Sequence, residues 1–356
     1  MKKVLLYILT EGKGGVEEYL MNLSRFCDDP SSKYGYLVAG ERTVYEDELK
    51  VLRTEYFFVP KKQDIVANIK AYQELLVRLR NDYDTIYFNT SGLYYPIPYF
   101  FAEKYNYRIV LHSHLTSGAR LKRPLHYLNR WWINKLCSLR LACSTPAGKW
   151  MFGDKERFQL IPNAIDIERF RFNKPKRDEY RKKYNLGDSY VIGNIGRLHQ
   201  VKNQIFLIDF LKEIVSRNND ARLLLVGDGE MRPAIEDHAR ELNVLDRVVF
   251  AGQTNQPEYF YSAMDCFVMP SLVEGFPITL VEAQANGLPC VVADTITNET
   301  NITGHISFRS LSQTASSWAD AILSSKERFD AIEIIKSKGY DVHSLAEGVY
   351  CTITKQ

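Results

Sequence analysis

Short apolar runs alternate with longer amphipathic stretches along the chain. Residues 4–9, 36–39, 56–59, 85–88, 109–112 and 139–143 read as strands, and 16–26, 65–80 and 125–136 carry apolar positions at helical spacing. The alternation pauses at Ile161-Pro162-Asn163-Ala164 and the charged run 174–183, as a linker does. It resumes with strands at 190–195, 221–226, 248–251, 266–269 and 290–293, between helices at 204–216, 232–242 and 278–286. Strands alternating with helices build parallel sheets covered on both faces. The pattern therefore predicts an α/β chain of two doubly wound halves. The expected division is 1–168, a linker at 169–186, a second domain at 187–330, and C-terminal helices over 331–356 packing back toward the first domain. Such sheets bind ligands beyond the carboxyl ends of their strands, so two of them facing one another would hold a site in the cleft between.

The length of 356 residues exceeds what one core usually supports, in keeping with two domains. With 45% hydrophobic and 25% charged residues, the composition is that of a soluble globular protein. No run approaches the ~18 apolar residues of a membrane span. Met1-Lys2-Lys3 and the apolar run after it are cut short by Glu11, which favours a first strand over a signal peptide. Six cysteines are scattered without a Cys-x-x-Cys pair, which points to a reducing, cytoplasmic setting without structural zinc.

The net charge is only +3, and no nucleic-acid partner is expected, yet the charge is unevenly placed. Residues 118–150 hold Arg120, Lys122, Arg123, Arg130, Lys135, Arg140 and Lys149 and no acid, together with Tyr127, Trp131 and Trp132. That mixture suits an anionic membrane surface or a phosphorylated acceptor. It suits equally a solvated basic helix with its tryptophans in the core.

Five segments carry candidate chemistry. In Glu274-Gly275-Phe276-Pro277-Ile278-Thr279-Leu280-Val281-Glu282, a strand leads into a helix whose first position suits Pro277. The amides of Ile278, Thr279 and Leu280 would then face a diphosphate, with Glu274 reaching a sugar hydroxyl and Glu282 a ribose. An N-capping loop beside a solvated helix face is the plainer alternative. In Gly196-Arg197-Leu198-His199-Gln200-Val201-Lys202, two cations at a strand end could neutralise a departing nucleotide diphosphate without a metal; they could also be ordinary surface charges. Gly227-Asp228-Gly229 permits a close backbone approach to a nucleotide, or simply a tight turn.

The loop Glu11-Gly12-Lys13-Gly14-Gly15 lacks the Ser or Thr of a Walker loop, and Glu17 replaces the third glycine of a dinucleotide fingerprint. It remains either a flexible loop able to approach a sugar or phosphate, or a turn. His112-Ser113-His114 closes a strand, where a histidine would point at the crevice and could bond a sugar hydroxyl or acceptor. Two histidines at i and i+2 share a face, but no third ligand supports a metal.

Together these residues resemble the retaining glycosyltransferases of family four, which have the GT-B fold of two Rossmann-like domains. The likeness rests on Glu274 and Glu282, on the segment around Arg197 and Lys202, and on Ile161-Pro162-Asn163, and it covers nearly the whole chain. It implies that Arg197 and Lys202 bind the donor pyrophosphate, Glu282 the ribose and Glu274 the transferred sugar. His112 would contact the donor sugar at the catalytic site. Gly14 and Gly15 would lie near pyrophosphate and acceptor.

His112-Ser113-His114, Ala142-Cys143-Ser144 and Trp150-Met151-Phe152-Gly153 further resemble bacterial capsule and exopolysaccharide transferases. Those work at the inner membrane face on polyprenyl-diphosphate-linked acceptors, commonly with a UDP-sugar and no other cofactor. A nucleotide-sugar epimerase or phosphorylase of the same fold, or a non-catalytic polysaccharide-binding subunit, are the competing functions.

Overall fold

The computed structural model describes residues 3–116, 120–217 and 220–355. These fall into two compact units, one of residues 1–164 with 342–356 and one of residues 165–341.

The first unit holds a seven-stranded sheet: β1 (Lys3–Leu9), β2 (Tyr34–Ala39), β3 (Glu55–Val59), β4 (Tyr83–Thr90), β5 (Arg108–Ser113), β6 (Cys137–Ala142) and β7 (Gln159–Leu160). Their order is β3-β2-β1-β4-β5-β6-β7, every pair parallel. The second holds β8 (Tyr190–Ile195), β9 (Ala221–Val226), β10 (Val248–Gly252), β11 (Cys266–Met269), β12 (Cys290–Ala293) and β13 (Ile306–Arg309), ordered β10-β9-β8-β11-β12-β13 and again parallel. In both sheets the order of strand addition reverses beside the first strand, between β1 and β4 and between β8 and β11, the switch points where such folds bind ligands. The expected doubly wound α/β architecture is present in each unit.

Continuous apolar runs become buried strands because helices cover both sheet faces. Leu223, Leu224 and Leu225 of β9 are all fully buried, as are Val4, Leu5 and Leu6 of β1. Side-chain caps fix several helix starts: Asp64, Ser144 and Thr314 accept from the backbone amides of Ala67, Ala147 and Ser317.

Residues 169–186, expected as a linker, contain the helix Lys174–Lys183, which belongs to the second unit. Asn173 caps it, and Arg177 and Arg181 grip the two oxygens of Asp265 at 2.5 Å each. Its inward face is built of guanidinium groups and Tyr180 rather than aliphatic residues, so hydrophobic periodicity does not register it. The expected C-terminal group divides. The helix Ile332–Ser337 lies in the second unit, while Val342–Thr354 packs on the helix Gly15–Arg25 of the first. Glu347 pairs there with Lys33 at 2.8 Å.

Candidate functional site

At the switch point of the second unit, β8 and β11 are neighbours, so the loops leaving their carboxyl ends run side by side. Three bonds join them. The Leu272 amide donates to the Val201 carbonyl at 2.8 Å, Asn203 Nδ2 donates to the Pro270 carbonyl at 3.1 Å, and Lys202 Nζ donates to Glu274 Oε1 at 2.5 Å. Asn203 adopts the left-handed conformation (φ 56°), closing the 3-10 turn Gln200–Lys202. Glu274 is buried, Lys202 is half-buried and Arg197 is exposed. Among the described residues the Arg197 guanidinium has no carboxylate partner. The structure thus brings Lys202 and Glu274, expected on separate loops, into direct contact.

The helix Ile278–Ala285 follows. Pro277 is its N-cap with extended backbone (φ −68°, ψ 119°), not its first helical residue as expected. Its carbonyl turns inward and accepts from the Leu280 amide at 3.1 Å. Only the Ile278 and Thr279 amides, of the three expected, are therefore left at the helix start. Gly275 and Phe276 are buried, and the Phe276 ring stacks on Tyr340 with centroids 5.6 Å apart. Inside the helix, Glu282 Oε2 accepts from the Tyr261 hydroxyl at 2.7 Å. Burial, reinforced by that carboxylate, holds the Tyr261 phenol well above its ordinary pKa, so it stays a donor. No sequence pattern flagged Tyr261, since it lies on the separate helix Pro257–Ala263.

The Gly227-Asp228-Gly229 turn packs tightly on the loop that leaves β8. A Cβ on Gly227 (φ 130°) would lie 2.0 Å from the Gly196 carbonyl oxygen, and one on Gly229 would lie 2.2 Å from that of Leu198. The Gly196 amide donates to the Val226 carbonyl at 2.9 Å and the Leu198 amide to that of Asp228 at 3.1 Å. These glycines permit a close approach to the backbone that carries Arg197.

In the first unit, His112 ends β5 fully buried, its Nδ1 2.6 Å from the Tyr87 hydroxyl. Tyr19, on the helix Gly15–Arg25, meets its ring edge-on at 5.2 Å, and the His114 ring lies 4.1 Å away. The two histidines share a face as expected, and the His112 ring packs fully buried beneath that helix. Burial drives the His112 pKa well below its usual value, with the neighbouring His114 opposing a second proton; burial pushes His114 down to about 3. Both rings are neutral near pH 7.

His114 Nε2 lies 2.9 Å from Asn89 Oδ1, and Asn163 stands against the same ring. Asn163 therefore reaches His114 as well as turning the chain. Gly14 is the N-cap of the helix that begins at Gly15, and both are exposed. Beyond the ends of β1 and β4 lies a cavity of about 480 Å³ walled by Tyr7, Tyr94, Tyr95 and Tyr99, with Lys61 and Asn89 on its border.

Comparison with known proteins gives two family matches. Residues 13–169 fit Glycosyltransferase Family 4, and residues 176–324 fit Glycosyl transferases group 1. The chain is 33% identical to the glycosyltransferase EpsF of Bacillus subtilis over 90% of its own length and 87% of that protein's. Over 44% of its length it is 32% identical to a UDP-Gal:alpha-D-GlcNAc-diphosphoundecaprenol alpha-1,3-galactosyltransferase of Escherichia coli, covering 43% of that protein. Among solved structures, Anabaena HepE in complex with UDP-glucose superposes with a TM-score of 0.76 at 20% identity, covering 99% of this chain and 95% of HepE. That likeness establishes the GT-B fold.

Proposed function

The chain belongs to glycosyltransferase family 4, and from that premise we propose that it transfers a sugar, with retention of anomeric configuration, from a UDP-sugar to a polyprenyl-diphosphate-linked saccharide of a surface polysaccharide. Its glycosyltransferase activity follows from the family and from the full-length likeness to EpsF. The finer assignment is supported by the Escherichia coli relative, whose name specifies UDP-Gal and a diphosphoundecaprenol-linked acceptor. No helix among the described residues is long and apolar enough to cross a membrane.

One observation carries the donor assignment: the Lys202–Glu274 bond beside the exposed Arg197, at the switch point of the second unit. In this reading Arg197 and Lys202 bind the pyrophosphate along with the Ile278 and Thr279 amides. Fixed cations stabilise charge that grows as the sugar–phosphate bond breaks. Glu274 orients both Lys202 and the sugar. Glu282, oriented by the Tyr261 hydroxyl, binds the ribose. Gly227 and Gly229 hold the Gly196–Arg197 backbone in place. In the first unit, His112 is assigned to the donor sugar, Gly14 and Gly15 to the pyrophosphate and the acceptor, and His114 to the acceptor.

A thermal-shift series with UDP-, GDP- and ADP-sugars tests the donor, since a ligand that binds the folded state raises the melting temperature by mass action. UDP-sugars are expected to shift it most. A shift confined to GDP- or ADP-sugars would overturn the choice of base. NMR of the product anomer, formed on a synthetic polyprenyl-diphosphate sugar, then tests retention.

A further inference from the structure

The helix Arg123–Leu136 is amphipathic the wrong way round for a soluble protein. Helices normally turn their apolar stripe to the core and their polar face to water. Here the inward face is largely polar and fixed by hydrogen bonds. His126 Nδ1 accepts from the Leu93 amide at 3.1 Å, Asn129 Nδ2 donates to the Leu93 carbonyl at 2.8 Å, and Asn134 Nδ2 donates to that of Phe152 at 3.0 Å. The His126 ring also stacks on Trp150, 4.0 Å between centroids.

The outward face carries Leu125, Leu128 and Trp131 on successive turns, with Leu121 just ahead. Leu121, Leu128 and Trp131 are 96%, 69% and 70% exposed. The sequence offered two places for the tryptophans of this stretch, and the structure divides them: Trp131 lies in solvent and Trp132 is half-buried. Of the 118–150 stretch, residues 118 and 119 lie outside the described residues.

A clustered apolar face of this kind marks an interaction surface. The charge around it decides the partner. Lys122, Arg123 and Lys135 are exposed along the helix, and Lys135 Nζ sits 3.7 Å over the Trp131 ring. Arg130 is turned the other way, toward the Trp150 carbonyl. No Asp or Glu occurs in the sequence between Glu103 and Asp154. Apolar side chains flanked only by cations, with a tryptophan among them, match an anionic lipid surface, where acyl chains lie beneath negative headgroups.

We propose that this face docks on anionic lipid, with Leu121, Leu125, Leu128 and Trp131 entering the acyl boundary and Lys122, Arg123 and Lys135 meeting the headgroups. The proposal deepens the reading above, on which the acceptor is lipid-linked, and gives the transferase its foothold where that acceptor resides.

The full chain is floated with phosphatidylcholine vesicles, alone and with about a third phosphatidylglycerol. Flotation is expected only with the anionic vesicles and falls as salt rises. Trp318 is fully buried and Trp150 nearly so, which leaves Trp131 and the half-buried Trp132 beside it as sources of a blue shift in emission on binding, with Trp131 the one exposed on the docking face. Trp131→Phe should float and lose most of that shift. Leu128→Glu with Trp131→Glu should abolish flotation while its melting temperature and its thermal response to UDP stay those of the parent. Equal flotation with both vesicle types, no flotation of the parent, or undiminished flotation of the double variant overturns the proposal. Loss of the UDP response in the parent would overturn the donor reading and leave the vesicle result standing.

Discussion

Lys202 Nζ lies 2.5 Å from Glu274 Oε1, so a cation on the loop after β8 is held by a carboxylate on the loop after β11. The two side chains form one device, and their substitutions should not add. Lys202→Ala and Glu274→Gln are each expected to lower turnover about a hundredfold, the scale of losing one fixed charge-stabilising group. The double variant should fall well short of the product of the two losses. Turnover measured for all four proteins checks this, and strict additivity would show that the two groups act independently.

Tyr261 orients Glu282 from a helix that bears none of the assigned ligand contacts. Tyr261→Phe removes one buried hydrogen bond and should weaken UDP binding up to about tenfold, by the worth of such a bond. Glu282→Ala should weaken it more. Calorimetric titration with UDP separates these effects, and unchanged affinity in both variants would remove Glu282 from the nucleotide site.

The glycines divide by what surrounds them. An alanine at Gly229 meets the Leu198 backbone, whereas one at Gly12 meets nothing within 4 Å. Gly229→Ala should therefore displace the Arg197 loop and cut donor affinity and activity severely. Gly12→Ala should leave the melting temperature within about a degree of the parent, as an exposed substitution without contacts does. A fully active Gly229→Ala protein would mean that the position of the loop does not matter.

His112 and His114 are held neutral by burial, so their folded pKa values lie below the unfolded value near 6.5. The unfolded chain then binds more protons than the folded one below about pH 6.5, and stability falls with pH from there toward about 3, the folded value for His114. Each ring contributes a slope of up to about 1.4 kcal/mol per pH unit. Urea midpoints from pH 7.5 downward should decline, and His114→Gln should flatten the decline. An equally steep decline in that variant would exclude His114 as a cause.

The sequence alone determined the fold class, because a parallel sheet covered on both faces demands continuous apolar strands separated by amphipathic helices, and β8, β9 and β11 are such strands. It also marked Arg197, Lys202, Glu274 and Glu282, whose charge beside glycine and proline at strand ends is a local signal. It passed over the helix Lys174–Lys183, where arginines paired with Asp265 replace the apolar stripe. Tertiary structure alone decided which of these groups meet. Lys202 reaches Glu274 through the pairing of β8 with β11, Tyr261 reaches Glu282 from another helix, and Asn163 reaches His114 across the first unit's core. It also decided which way the helix Arg123–Leu136 faces, since hydrogen bonds from His126, Asn129 and Asn134 hold its polar side inward against the usual preference. Periodicity reports only what is near in the chain; contacts made by strand order and by buried polar bonds join residues far apart in it.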